Sequence, residues 1–334
     1  MKVFEPLPLA AIATAAAALF TAANGFSQSP PDLKSLRGSV RIDGSSTVFP
    51  LTEAVTEEFA KVAPKVNVTV GVSGTGGGFK RFCHGETAIS DASRPIAPSE
   101  LSLVTAAKID FIEVPIAIDT LCFVVHPKND WMKSISIERA RSIFSEGGPR
   151  TWKEVDPSWP DRTIKRYSPG TDSGTFDYFK EVVMGKDGKI RTDISVSEDD
   201  NVLVLGVAGD VDAIGFFGIA FYAENRSRLR SVPVIGSAGT PVTPTAATVL
   251  DETYPLARPL FLYVNAKDAA RPEVAAYLDF YLSNVSDLAT EVGYLPLTKD
   301  QLAKVSANWA ARRTGTQFVK DGQRVEGTFA KIYK

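Results

Sequence analysis

Three times in this chain a short run of serine, threonine and glycine leads straight into a helical pattern of apolar residues. The runs are Asp43-Gly-Ser-Ser-Thr-Val-Phe-Pro50, Ser73-Gly-Thr-Gly-Gly-Gly78 and Pro169-Gly-Thr-Asp-Ser-Gly-Thr175. The first two runs follow segments that read as strands, so strand, small loop and helix recur there as a unit. That unit builds α/β layers around open sheets. The first turn of a helix exposes unpaired N–H groups at the positive end of its dipole, which makes it a seat for an anion. Glycine lets backbone approach closely, and serine or threonine adds short donors. One such run is an ordinary helix cap. Three in one chain call for a common purpose.

The pattern between these runs is consistent with that unit. Residues 38–43 and 66–72 read as strands, and Val48, Leu51, Val55, Phe59 and Val62 recur at helical spacing. A short helix carries Phe79, Phe82 and Cys83, residues 87–90 suggest a strand, and Ser99 is placed to cap a helix beginning at Glu100. Residues 111–125 are almost continuously apolar but broken by Pro115 and Asp119. That suits a buried strand leaving one lobe for another better than a helix. Residues 137–144, 176–184 and 272–283 are helical patterns, 213–222 and 258–265 read as strands, and 233–245 reads as loop. A length of 334 residues exceeds what one hydrophobic core usually spans, so two lobes are expected.

A fourth segment, Ile89-Ser-Asp-Ala-Ser-Arg-Pro-Ile96, places Asp91, Ser93 and Arg94 within four residues at a strand end. Alone it would be a surface Asp–Arg pair. Beside the other loops, Arg94 supplies a planar fork suited to a tetrahedral oxyanion. Asp91 could accept the proton of hydrogen phosphate, which sulfate lacks at neutral pH, and so select by rejection. Several contributors are needed, because micromolar binding requires about −8 kcal/mol. A helix end supplies roughly 0.3–1 kcal/mol and a charge-assisted hydrogen bond about 1.5–3 kcal/mol.

The formal net charge of −2 gives no reason to expect nucleic acid or an anionic membrane as partner. An anion must then be held by a few placed donors. His84 and His126 are the only histidines and have no metal-ligand spacing around them, so neither metal nor cofactor is expected. Cys83 and Cys122 allow one disulfide or two buried thiols, and both remain open. At the start, residues 9–23 are apolar and Ala-rich and lead into Asn24-Gly-Phe-Ser-Gln28. Residues 1–27 therefore read as a cleaved signal peptide of an exported, soluble protein, and no cysteine nearby offers a lipid anchor.

These segments together resemble the periplasmic phosphate-binding component of the high-affinity phosphate ABC transporter. The likeness covers nearly all of the mature chain and rests on residues 43–50, the glycine run ending Gly78-Phe-Lys80, Ser90-Asp-Ala-Ser-Arg-Pro95, and Gly170-Thr-Asp-Ser-Gly-Thr-Phe176. The resemblance implies a type II periplasmic binding protein-like α/β fold, a two-lobed Venus flytrap with inorganic phosphate in the interdomain cleft. It implies membrane permease subunits as partners, a monomer, and no catalysis. The family's ligand contacts fall on Thr47 and Val48 with Ser46 adjacent, on Thr75 with Gly76, and on Ser173, Gly174 and Thr175. Where the best-known members carry an arginine before the third loop, this chain has Pro169. Arg94 is the replacement candidate, as in similar proteins with a Ser-Arg-Pro segment, and Arg166 is second. The family's ligand-facing aspartate aligns with either Asp91 or Ser93, and Asp172 either braces Arg94 or is a plain loop residue. Expected boundaries are 30–124 plus 258–334 for lobe I and 125–257 for lobe II, with hinges at 121–125 and 256–260.

Rival readings are weaker. Asp172-Ser-Gly-Thr175 matches the aspartic protease tetrapeptide, but that chemistry needs a second facing Asp-Ser/Thr-Gly, and the chain has none. No P-loop, G-x-G-x-x-G or G-x-S-x-G occurs. Within binding proteins, sulfate, molybdate and tungstate are the alternatives, and Asp91 with Arg94 argues for phosphate. An adhesion protein of the same fold would not require four small-residue loops.

Overall fold

The longest strand, Phe111–Val125, is buried along all fifteen of its residues and serves two blocks of sheet. This computed structural model describes residues 32–334 except 172, 186 and 198. The expected signal peptide lies outside the described residues. From Phe111 to Thr120 the long strand pairs antiparallel with Ala257–Asn265, and from Leu121 to Val125 with Ala213–Gly218. Pro115 cannot donate to a ladder, and the register shifts beside it, between Leu260 and Phe261. A bulge is where a central strand tolerates proline.

On one side of this pair, Gly38–Gly44 runs parallel to both Val66–Val72 and Ile89–Ala92. On the other, Lys165–Pro169 runs parallel to Ser195–Ser197 and Ala213–Gly218. The whole path is Val66–Val72, Gly38–Gly44, Ile89–Ala92, Ala257–Asn265, Phe111–Val125, Ala213–Gly218, Lys165–Pro169, Ser195–Ser197. The result is a two-lobed α/β molecule in which each lobe has its own parallel block. Open α/β sheets present their ligand crevices at the carboxyl ends of such strands. All four small-residue segments sit at those ends.

Helix packing holds these ends in place. In helix Phe49–Val62, Leu51, Val55 and Phe59 recur every four residues and are buried. The Phe59 ring meets Tyr277 and Phe280 edge-on, at 5.3 and 5.4 Å, on helix Pro272–Glu291. In the other lobe Phe179 stacks on Phe216 at 4.1 Å, with Phe144 against both. That cluster fixes the helix that follows the third small-residue run.

Several boundaries differ from expectation. The 176–184 pattern is an α-helix over Gly174–Phe179 and then a π-helical turn over Lys180–Met184, ended by Gly185 at φ 73°. The strand expected over 213–222 stops at Gly218, where the helix Ile219–Glu224 begins. The 233–245 loop holds two short strands, Val234–Ile235 and Pro241–Val242. Ser99 lies inside the helix Pro98–Ala106 and is not its cap; the Glu100 carboxylate accepts from the Ala97 N–H instead, at 2.8 Å. Both cysteines are free, Cys122 buried and Cys83 half-buried, which removes the disulfide alternative.

Candidate functional site

Glycines let the first two loops and the third strand meet. Gly44 ends its strand at φ 152°, and a Cβ there would stand 2.1 Å from the Asp91 carbonyl oxygen. A Cβ at Gly78 would be 2.6 Å from Gly44 Cα. Only bare backbone permits this approach, and it lets the Ser45 N–H donate to Asp91 O at 3.0 Å. The helix Thr75–Cys83 starts after Gly74 with no side-chain cap, so its first N–H groups are left for another acceptor. The Thr75 hydroxyl lies 3.2 Å from Ser93 Oγ and accepts from the Ser93 N–H at 3.2 Å.

These loops open on a cavity of about 620 Å³. Ser46, Thr47, Thr75, Gly76, Ser93 and Arg94 line it, six of the eleven residues singled out in the sequence. Arg94 is held as a fork by Glu100, with two hydrogen bonds of 2.8 Å, and about a third of its side chain is exposed. Asp177, Lys180 and Glu181 complete the wall from the other lobe. Asp177 accepts a hydrogen bond from the Ser46 hydroxyl across the cavity.

The third run sits differently. Ser173 caps its helix by accepting from the Phe176 N–H at 3.4 Å. Ser173, Gly174 and Thr175 line a neighbouring hollow of about 230 Å³ beside Tyr294 instead of the main cavity. Thr47, on the wall of the main cavity, touches two residues of that hollow: its hydroxyl is 3.5 Å from the Gly174 carbonyl and its own carbonyl accepts from the Tyr294 hydroxyl. Val48 is fully buried beneath the loop, so only its backbone can take part.

Asp91 requires a correction. It is buried beneath the cavity and does not line it, and Ser93 faces the space instead. Its two oxygens make no well-formed hydrogen bond. Burial pushes its carboxyl up to about 8, with the Thr52 hydroxyl opposing and Asp43 adding repulsion. Arg166 is also excluded: it is buried and donates to the carbonyls of Ile143, Ile164 and Pro149. Asp172 lies outside the described residues.

Sequence reasoning missed Asp177, Lys180 and Glu181 on the wall and, behind them, Arg258. Arg258 donates to Thr47 Oγ1 at 2.9 Å, to Asp119 at 3.2 Å and to Glu181 at 2.7 Å, and lies 3.9 Å above the Tyr178 ring. The one available signal was an arginine opening an apolar strand, since a buried cation demands partners. Its partner Asp119 is buried, which pushes that carboxyl up to about 6 against the opposing pull of Arg258. Among the described residues no group of three His, Cys, Asp or Glu side chains is placed to hold a metal ion. Among them, too, no helix is long and apolar enough to cross a membrane.

The carboxyl-end loops, an uncapped helix start and an arginine fork line one cavity with donors suited to an oxyanion, and comparison with known proteins agrees with the architecture. Residues 29–285 match the model of the PBP superfamily domain. Protein SphX of Synechococcus elongatus is 43% identical over 93% of this chain and 90% of its own. The phosphate-binding protein PstS of Staphylococcus haemolyticus is 38% identical over 78% of this chain and 82% of its own. The crystal structure of a possible phosphate binding protein from Planctomyces limnophilus superposes with a TM-score of 0.80 at 40% identity, covering 84% of this chain and all of the other. The chain therefore belongs to the PBP superfamily, in the family of type II periplasmic binding proteins that contains PstS and SphX.

Proposed function

We propose that this chain captures inorganic phosphate in the 620 Å³ cavity and delivers it to the permease subunits of an ABC transporter. The observation that carries this reading is the convergence of Thr47, Thr75, Ser93 and Arg94, from three strand ends, on one space. The family membership and the naming of its relatives as phosphate-binding proteins support it. The protein acts as an exported monomeric binder with no reaction to catalyse, its first 27 residues removed. Lobe I comprises 30–124 plus 258–334 and lobe II 125–257. The lobes close about the crossings at 121–125 and 256–260 and expel water from the anion.

Selectivity for phosphate over sulfate falls to Asp177 in place of Asp91. Asp177 lines the cavity, and a carboxylate there accepts a proton from hydrogen phosphate but faces only lone pairs on sulfate. Calorimetric titration of residues 28–334 with phosphate, sulfate and molybdate tests the reading. Micromolar or tighter binding of phosphate, with sulfate and molybdate much weaker, is expected. Equal affinity for all three removes the role of Asp177, and no heat with any of them removes the function.

A further inference from the structure

We propose that Arg258 is a positioning residue that turns the Thr47 hydroxyl into a committed anion donor, and does so only while the two lobes are together. The inference rests on the phosphate reading above, and it concerns a residue outside the cavity wall. Arg258 sits on the strand Ala257–Asn265, directly opposite Asp119 in the register. Its side chain is 11% exposed, so each guanidinium nitrogen must find a partner inside the protein.

The three nitrogens diverge to three segments. Nε goes to Asp119 on the paired strand, Nη1 to Glu181 on the π-helical turn, and Nη2 to Thr47 on the first loop. The link to Asp119 joins residues that face each other on neighbouring strands, both within lobe I. Glu181 and the Tyr178 ring under the guanidinium belong to lobe II, and Thr47 belongs to lobe I. One planar fork therefore spans both sides of the cavity, a geometry that lysine cannot reproduce.

The consequence for Thr47 follows from hydroxyl chemistry. A threonine hydroxyl has one proton and two lone pairs and can serve an anion only as donor. Accepting from Arg258 commits the oxygen as acceptor on that side and leaves the proton for another group. Among the described residues that proton has only a long contact, 3.5 Å to the Gly174 carbonyl. An anion in the cavity is the better acceptor, and the adjacent guanidinium charge strengthens the donor. Separation of the lobes removes Glu181 and Tyr178 from the fork and frees it to swing away from Thr47.

The test uses the mature chain with Arg258→Lys, Thr47→Val, the double variant and Glu181→Gln. Phosphate affinity is read by calorimetry, the radius of gyration by small-angle scattering with and without phosphate, and unfolding midpoints without ligand. Loss of one charge-assisted bond corresponds to about 10–100-fold weaker phosphate binding for Arg258→Lys. The double variant should lose far less than the product of the two single effects, because both remove the same donor. Arg258→Lys should also enlarge the radius of gyration, with the wild-type unfolding midpoint nearly kept. Phosphate affinity within twofold of wild type, or single effects that multiply independently, overturns the proposal. Should Arg258→Lys fail to fold, Glu181→Gln removes only an exposed link, and an unchanged radius and affinity in that variant overturn the proposal equally. A wild-type protein that binds no phosphate defeats the functional reading and the Thr47 role with it. A wild-type protein that binds phosphate while the variants match it defeats only the inference.

Discussion

Gly174 rests against the backbone of Thr47 so closely that a Cβ at position 174 would stand 2.7 Å from Thr47 Cα and 2.6 Å from the Tyr294 hydroxyl. These residues come from opposite lobes, so their contact measures how completely the cavity can shut. Gly174→Ala should hold the lobes apart. Overpacking of this kind costs roughly 1–3 kcal/mol, so phosphate affinity should fall by about 5–100-fold. Calorimetry gives the affinity, and small-angle scattering should show a molecule that no longer contracts with phosphate.

Arg94 is the cation of lobe I on the cavity wall, and Glu100 holds it from behind. Arg94→Ala should weaken phosphate binding by about 10–100-fold, the worth of a charge-assisted hydrogen bond. The Glu100 carboxylate keeps its bond from the Ala97 N–H, so the helix start survives. Calorimetry should therefore show a lost ligand in a protein whose unfolding midpoint has barely moved.

Phe59 does not line the cavity but supports the helix that follows loop one. It is fully buried between the rings of Tyr277 and Phe280. Phe59→Ala should cost about 3–5 kcal/mol of stability in urea unfolding. Phosphate affinity of the folded variant, measured well below the transition, should stay near that of the wild type.

Asp91 makes stability depend on pH. Its folded carboxyl sits at about 8 against an ordinary value of 3.8, and burial is the main cause. Between those values the folded protein holds a proton that the unfolded chain releases. Its stabilising contribution is complete below about pH 4 and is lost as pH rises toward about 8, at up to ~1.4 kcal/mol per unit. Asp91→Asn should flatten that slope in unfolding titrations between pH 5 and 8. A slope unchanged by the substitution would show that Asp91 titrates normally.

The parts of this molecule visible in the sequence are those written locally. The small-residue runs mark strand ends and helix starts within eight residues, and the broken apolar stretch at 111–125 announced a strand too irregular for a helix. What escaped was written at long range. Arg258 takes its meaning from residues 47, 119, 178 and 181, which no window of sequence contains. The orientation of Asp91 was ambiguous for a different reason. All four residues of Ile89–Ala92 are buried, so the strand lacks the polar alternation that tells one face from the other. The π-helical turn at Lys180–Met184 begins directly after Phe179 and likewise leaves no mark in the apolar spacing.

The strand Phe111–Val125 belongs to both lobes and is buried along its length. Neither lobe expressed alone would possess a finished sheet, because each would surrender either the strand or its partner across the gap. The two halves are therefore obligate companions in biogenesis, and a fragment ending near residue 125 should be degraded, not accumulated. A molecule built to open and shut around one anion has been given a seam that cannot be cut.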